Sequence, residues 1–185
     1  MIAFLVVTVV VIMAPGPDFA LTVRNSVTRE RGVATAFGVT TGLLAWAVAA
    51  AAGLAAVLVA SRPAFEALRL AGAAYLVWLG LAKLFARRHT ARTARPGSPY
   101  RQGLVSNLSN PKMPIFFTSL LPQFGASFAA LAVHGLVFAA LTLGWLSAVA
   151  WAGAALRVPA VRRALDVVTG VLLVAFGVRL AAERR

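Results

Sequence analysis

The 185-residue chain contains no cysteine, only two histidines and only five acidic residues. Long stretches, Val33–Ser61 and Met113–Leu156, carry no charged residue at all. Without cysteine there can be no structural disulfide, no dithiol electron transfer and no thiolate metal site. With His89 and His134 the only imidazoles, neither a metal nor any other cofactor is expected. No nucleotide-binding P-loop occurs. No Lys or Arg precedes the apolar run Met1–Met13, the first being Arg24, so no removable signal peptide is expected.

What remains is mostly apolar. Hydrophobic residues make up 61% of the chain and charged ones 12%, with a mean hydropathy of +0.85; soluble domains run at about 25% charged. Apolar runs of about 20 residues span a bilayer, so the fold class is an all-α integral membrane protein. A net charge of +13 would ordinarily raise the question of nucleic acid. Here the basic residues sit between apolar spans, as the positive-inside rule produces, and the partners expected are a lipid bilayer and no nucleic acid.

The hydrophobic pattern predicts six spans, at about 2–23, 33–60, 64–84, 102–121, 128–152 and 164–180. Between the third and fourth lies the only extended polar stretch, 87–101, with five arginines, His89 and two prolines, which reads as a loop. Alternating spans put Arg24, Arg29 and Arg31, then Lys83 to Arg101, then Arg157, Arg162 and Arg163 on one side, twelve of the 18 basic residues. That side is expected to be cytoplasmic and both termini periplasmic. Within span 2, Gly38-Val-Thr-Thr-Gly42 has the small-residue spacing that lets helices approach closely, though such pairs also arise by chance in Gly/Ala-rich helices. A six-span bundle this short is thin, which leaves room for a homodimer.

Two spans are broken. Span 1 contains Ala14-Pro15-Gly16-Pro17-Asp18, and span 4 contains Asn107-Leu-Ser-Asn110-Pro111-Lys112-Met-Pro114. Proline removes a backbone donor and clashes with the preceding turn, which hydrocarbon tolerates only where the freed groups face protein or water. Pro15 to Gly80 spans 65 positions and Pro111 to Gly177 spans 66, each interval running from a broken helix to a Gly-containing third helix. Three spans per unit is odd, so the units must be oppositely oriented. The expected architecture is therefore two inverted three-helix repeats, 1–86 and 102–185, separated by the basic loop 87–101, with the ligand site at mid-membrane where the broken helices 1 and 4 meet.

Asp18 is the only carboxylate inside a span away from its ends. A charge there costs about 3 kcal/mol even on lenient scales, so such residues are usually functional. Asp18 can bind a substrate ammonium, carry a coupling proton, or alternate between the two. Lys112, at the same depth in the other repeat, is the expected counter-charge in a Lys–Asp pair; the same pair could also be only a latch between the repeats. Asn107 and Asn110 offer donors and acceptors to a zwitterion. Pro15, Gly16, Pro17 and Pro111 expose backbone, although Gly16 also serves simply to shape the bend. Arg69 and His134 are secondary candidates. Arg69 can snorkel to the interface, and His134 can relay protons or, as the expectation favours, form a helix-to-helix hydrogen bond. Tyr75 and Trp78 read as packing or interfacial-belt residues.

Ala14-Pro-Gly-Pro-Asp-Phe19, Ala71-Gly-Ala-Ala-Tyr-Leu-Val-Trp-Leu-Gly80, and Asn107-Leu-Ser-Asn-Pro-Lys112 followed by Leu121-Pro-Gln-Phe124 resemble the signature blocks of the LysE/RhtB amino-acid exporters. The blocks fall in order over essentially the whole chain. Asp18, Phe19 and the following Arg24-Asn-Ser-Val are most similar to the threonine-exporter branch; the loop between spans 3 and 4 is shorter than is typical. The resemblance implies a bacterial inner-membrane protein that exports an amino-acid substrate, threonine, homoserine or another small neutral one, against protons. From the residues alone, a membrane-embedded enzyme, an assembly subunit or a passive small-solute channel remain alternatives. Against an enzyme stands the lack of any metal cluster or Ser/His/Asp grouping at one depth.

Overall fold

The computed structural model describes residues 2–60, 62–85, 97–110, 112–117, 121–124, 127–153 and 158–182. The described residues are helical, with no strand among them. They form α1 (Ile2–Met13), α2 (Pro17–Asn25), α3 (Arg29–Ala60), α4 (Arg62–Leu84), α5 (Pro99–Leu108), α6 (Lys112–Ile115), α7 (Phe128–Trp151) and α8 (Pro159–Ala182), with a short 3₁₀ turn at Leu121–Phe124 before α7. The basic loop expected at 87–101 lies outside the described residues as far as 96.

α1 and α2 meet at a bend of 54°. The cause is local. The last α1 bond runs from the Ala14 N–H to the Val10 carbonyl, and the next regular one begins at Ala20, donating to Gly16. Pro15 and Pro17 have no N–H to give between them. Gly16 takes an extended backbone, φ −124°, and Pro17 opens α2 in the position where its missing donor costs nothing.

Among the described residues, two helices are long and apolar enough to cross a membrane, Arg29–Gly53 and Phe128–Trp151, and the bent α1–α2 pair makes a third if taken as one span. The outer surface is apolar as well. Val48, Trp78, Leu136, Val171 and Val178 are all more than half exposed, which suits lipid and would be a liability in water. One core runs through both halves of the chain: Phe4 and Val11 of α1, Leu43 of α3, Phe116 and Phe117 just after α6, Phe138 of α7 and Leu173 of α8.

Glycines set how closely the helices pack. A methyl group on Gly38 would lie 2.0 Å from the Tyr100 carbonyl oxygen, and one on Gly103 would lie 2.2 Å from that of Thr35, so α3 and α5 touch backbone to backbone. The Gly38/Gly42 pair of the sequence is thus a packing surface. A second crossing joins α4 and α8. Gly80 faces the backbone of Gly170 and Val174, while Gly177 faces that of Ala73 and Val77. The relation is reciprocal and antiparallel: each glycine meets residues three and seven positions before the other.

Several helix ends are tied together. The Asn25 amide at the end of α2 donates to Thr35 Oγ1 (2.9 Å) and to Gln102 Oε1 (3.2 Å). The Arg29 guanidinium lies 3.4 Å over the ring of Trp151, a cation–π contact, and Arg163 donates to the Leu84 carbonyl at 2.9 Å.

Because no side chain fits at Gly38, Gly38→Ala should destabilise the protein by about 1–3 kcal/mol. Gly144, with nothing within 4 Å of an added methyl, should accept alanine neutrally or with a small gain of about 1 kcal/mol from helix propensity. Thermal unfolding in detergent, followed by tryptophan fluorescence, separates the two; equal melting shifts would deny the close α3–α5 approach.

Candidate functional site

The two breaks meet. Asp18, the second residue of α2, is 7% exposed, and its carboxylate accepts three hydrogen bonds from the end of α5 and the turn after it. Ser106 Oγ–H donates to Oδ1 at 2.6 Å, and the side-chain amides of Asn107 and Asn110 donate to Oδ2, each at 3.0 Å. Hydrogen bonds to a carboxylate are roughly twice as strong as neutral ones. The positive end of the α2 dipole adds to them, because Asp18 sits in that helix's first turn.

Asn110 does two jobs. Its Oδ1 accepts from the Lys112 backbone N–H at 3.1 Å, capping the start of α6, while its NH₂ reaches Asp18. Both partners fix which way the amide points. Asn107, fully buried, is pressed against Gly42, where a methyl would come within 3.0 Å of its Cβ and Oδ1. The α3–α5 approach therefore also places an Asp18 donor.

Lys112 reaches the other half of the broken span. Its ammonium donates to the Val11 carbonyl at 3.0 Å. In an unbroken helix that carbonyl would accept the N–H of residue 15, but residue 15 is proline. The vacancy is filled by a cation at the negative end of the α1 dipole. Lys112 also passes close to the bend, 3.8 Å from where a methyl on Gly16 would stand.

Asp18 and Lys112 line one small cavity of about 20 Å³ between Gly16, Val39, Met113, Phe138 and Thr142. That is room for about one water, far less than an amino acid. Asp18 and Lys112, expected from the sequence to pair, line the same cavity; Asp18 accepts from the end of α5 and the turn after it, and Lys112 donates to the carbonyl that Pro15 leaves open.

The remaining candidates divide. Pro15, Gly16 and Pro17 form the first break, and Asn107 and Asn110 stand at the second; Pro111 lies outside the described residues. Arg69 belongs to α4, and its side chain lies outside them too. His134 sits apart from the cavity. Its Nδ1 is 2.6 Å from the Ala130 carbonyl one turn back in its own helix, and its ring packs against Phe4 at 4.3 Å between centroids. The expected helix-to-helix bond is replaced by an intrahelical one, because the facing surface is aromatic. Tyr75 and Trp78 pack ring to ring at 5.6 Å, with Trp78 mostly exposed. Sequence reasoning missed Ser106 and Thr142; Ser106 stands beside Asn107 in the same polar block and was legible there. Among the described residues no group of three or more His, Asp or Glu could hold a metal ion.

Comparison with known proteins gives a consistent picture. A family model described as "LysE type translocator" matches residues 9–184. The chain is 29% identical to a threonine efflux protein of Salmonella typhi, over 96% of this chain and 95% of that one. It is 36% identical to a homoserine/homoserine lactone efflux protein of Salmonella typhimurium, over 66% and 63% of the two chains. It is 35% identical to an uncharacterized membrane protein of Pseudomonas aeruginosa, over 94% and 90%. No solved structure matches.

Asn110→Ala removes a donor from Asp18 and the cap from α6, and should cost about 1.5–3 kcal/mol. In an Asp18→Asn background the same change should cost measurably less, since the charged acceptor is gone. Ser109→Ala, one residue away and exposed, should stay within about 0.5 kcal/mol of the parent. Equal losses for Asn110→Ala in both backgrounds, read by thermal unfolding in detergent, would show that the two side chains are not coupled.

Proposed function

Since this chain belongs to the LysE type translocator family, whose members are transporters and not enzymes, we propose that it exports a small neutral or hydroxylated amino acid, of the threonine and homoserine kind, across the bacterial inner membrane by proton-driven alternating access. The observation that carries this reading is the reciprocal capping of the two breaks. One buried acid and one half-buried base line the same cavity, each bonded to the other half of the chain. The efflux names of the relatives agree with it.

A zwitterion suits this pair. The substrate ammonium takes the Asp18 carboxylate, competing with the Ser106, Asn107 and Asn110 donors, and its carboxylate takes the Lys112 ammonium, which leaves Val11. Each exchange loosens the contact between the broken segments, so binding and opening are one event. A proton arriving on Asp18 cancels the charge that holds the ammonium and releases the substrate. One proton entering down 100 mV supplies about 2.3 kcal/mol, plus the contribution of the pH gradient.

We further read the fold as six spans in two inverted three-helix repeats, 1–86 and 102–185, with the basic segment 87–101 between them. The α4–α8 crossing supports this. A reciprocal antiparallel contact between the third helix of each half is what a two-fold axis in the membrane plane generates. The ties among Asn25, Thr35 and Gln102 and between Arg29 and Trp151 gather basic segments at one end, in line with a cytoplasmic face there and periplasmic termini. Arg92→Cys in this cysteine-free chain should then escape an impermeant thiol reagent applied from the periplasm; labelling would reverse the orientation.

Asp18→Asn should abolish accumulation of labelled threonine in inverted vesicles under an imposed proton gradient, with the protein still in the membrane. Lys112→Ala should do the same, and the double variant should be no worse than either single. Accumulation at the parent rate in Asp18→Asn refutes the role of the acid, and a parent protein that equilibrates threonine without concentrating it is a channel.

A further inference from the structure

Threonine side chains inside helices ordinarily bond the carbonyl one turn back, and five in this chain do so. Thr22, Thr35, Thr40, Thr41 and Thr169 each donate to the residue four positions earlier, at 2.6–3.0 Å. Thr142 does not. Its side chain is 6% exposed, and its hydroxyl has no hydrogen-bond partner among the described residues. Thr8 shares that condition but does not border the Asp18/Lys112 cavity. Thr142 does. A buried hydroxyl without a partner costs about 1–3 kcal/mol, while the bond to the carbonyl of Phe138 one turn back would ordinarily satisfy it.

We propose that Thr142 determines substrate specificity: its hydroxyl reads the side-chain oxygen of a small hydroxylated amino acid whose ammonium and carboxylate are held by Asp18 and Lys112. This rests on the assignment of an amino-acid substrate to that cavity. The chemistry of the wall selects the class. Beside Thr142 the cavity is bounded by Val39, Phe138 and Leu146, which accept a short aliphatic stem. A hydroxyl both donates and accepts, so it can match a substrate hydroxyl in either sense. Among the described lining residues no third charge stands there to meet a charged side chain, which disfavours basic and acidic amino acids. A site built to bond a hydroxyl discriminates against the analogue that lacks it, because its own polar group is then left unpaired.

Valine is the informative competitor, since it has the shape of threonine with a methyl in place of the hydroxyl. The full-length protein in proteoliposomes, loaded with unlabelled amino acid, is assayed for counterflow of labelled threonine and labelled valine. The parent should favour threonine, and Thr142→Val should lower the threonine-to-valine ratio about tenfold, the equivalent of one well-made buried hydrogen bond. Thr142→Ser, which keeps the hydroxyl, should hold the ratio within about twofold of the parent. Thr142→Ala provides the same ratio if the valine variant does not fold. An unchanged ratio in Thr142→Val or Thr142→Ala overturns the assignment of Thr142 while leaving the Asp18/Lys112 site standing. Failure of the parent to exchange either amino acid is a different result: it defeats the export function itself, and the specificity role with it.

Discussion

A missing hydrogen at position 15 governs the rest of the structure. Proline there cannot donate to the Val11 carbonyl, and in a membrane interior an unmet carbonyl is costly. The chain meets it with the Lys112 ammonium, brought from 101 residues away. A cation drawn to that depth needs negative charge near it, and Asp18 lies across the same bend, seven residues beyond Val11 on the far side of Pro15 and Gly16. Its carboxylate in turn needs donors, which Ser106, Asn107 and Asn110 provide. Every group in the set satisfies a vacancy created by the other break.

Such a network is conditional on registration. Polar groups in a low-dielectric interior hold strongly when all are met and cost heavily when one is not. The α3–α5 contact at Gly38 and Gly103 has no room for a side chain, and it sets the distance at which Asn107 and Asn110 stand from α2. The α4–α8 crossing supplies a second close pairing, at Gly80, Gly170 and Gly177. Between these, the broken segments join the apolar core through Val11, Phe19 and Met113 and also meet through polar bonds, which the proposed mechanism has a zwitterion or a proton replace. That division, tight glycine crossings flanking an exchangeable polar contact, is what an element with two arrangements requires.

Much of this was legible in the sequence. Helix bounds followed the apolar runs closely: α7 at Phe128–Trp151 and α3 ending at Ala60 both fall where the hydrophobic pattern placed them. The breaks announced themselves as prolines among polar residues, and Asp18 as the lone mid-span acid. What composition does not carry is which donor meets which acceptor. Opposite charges at matching depth suggested a direct Lys–Asp pair, whereas the carbonyl freed by Pro15 competes for the lysine and Ser106, Asn107 and Asn110 compete for the acid. Ser106 adjoins Asn107 in the sequence but escaped notice because a helical serine ordinarily bonds its own backbone; the rotation of α5, set by its glycine contact, turns it toward α2. Thr142 escaped for the same reason, and its hydroxyl becomes informative only once the cavity beside it is seen. His134 shows the converse, a conspicuous residue whose aromatic surroundings leave it a bond within its own helix.

The central claim is that the Asp18 carboxylate is the group that substrate and proton exchange at. Infrared difference spectroscopy on the reconstituted protein reads that carboxylate directly. Adding threonine should shift a carboxylate band that is absent from Asp18→Asn, and acidification should convert the same band to that of a protonated carboxyl. Spectra of the parent and of Asp18→Asn that respond identically to threonine and to acid would contradict it.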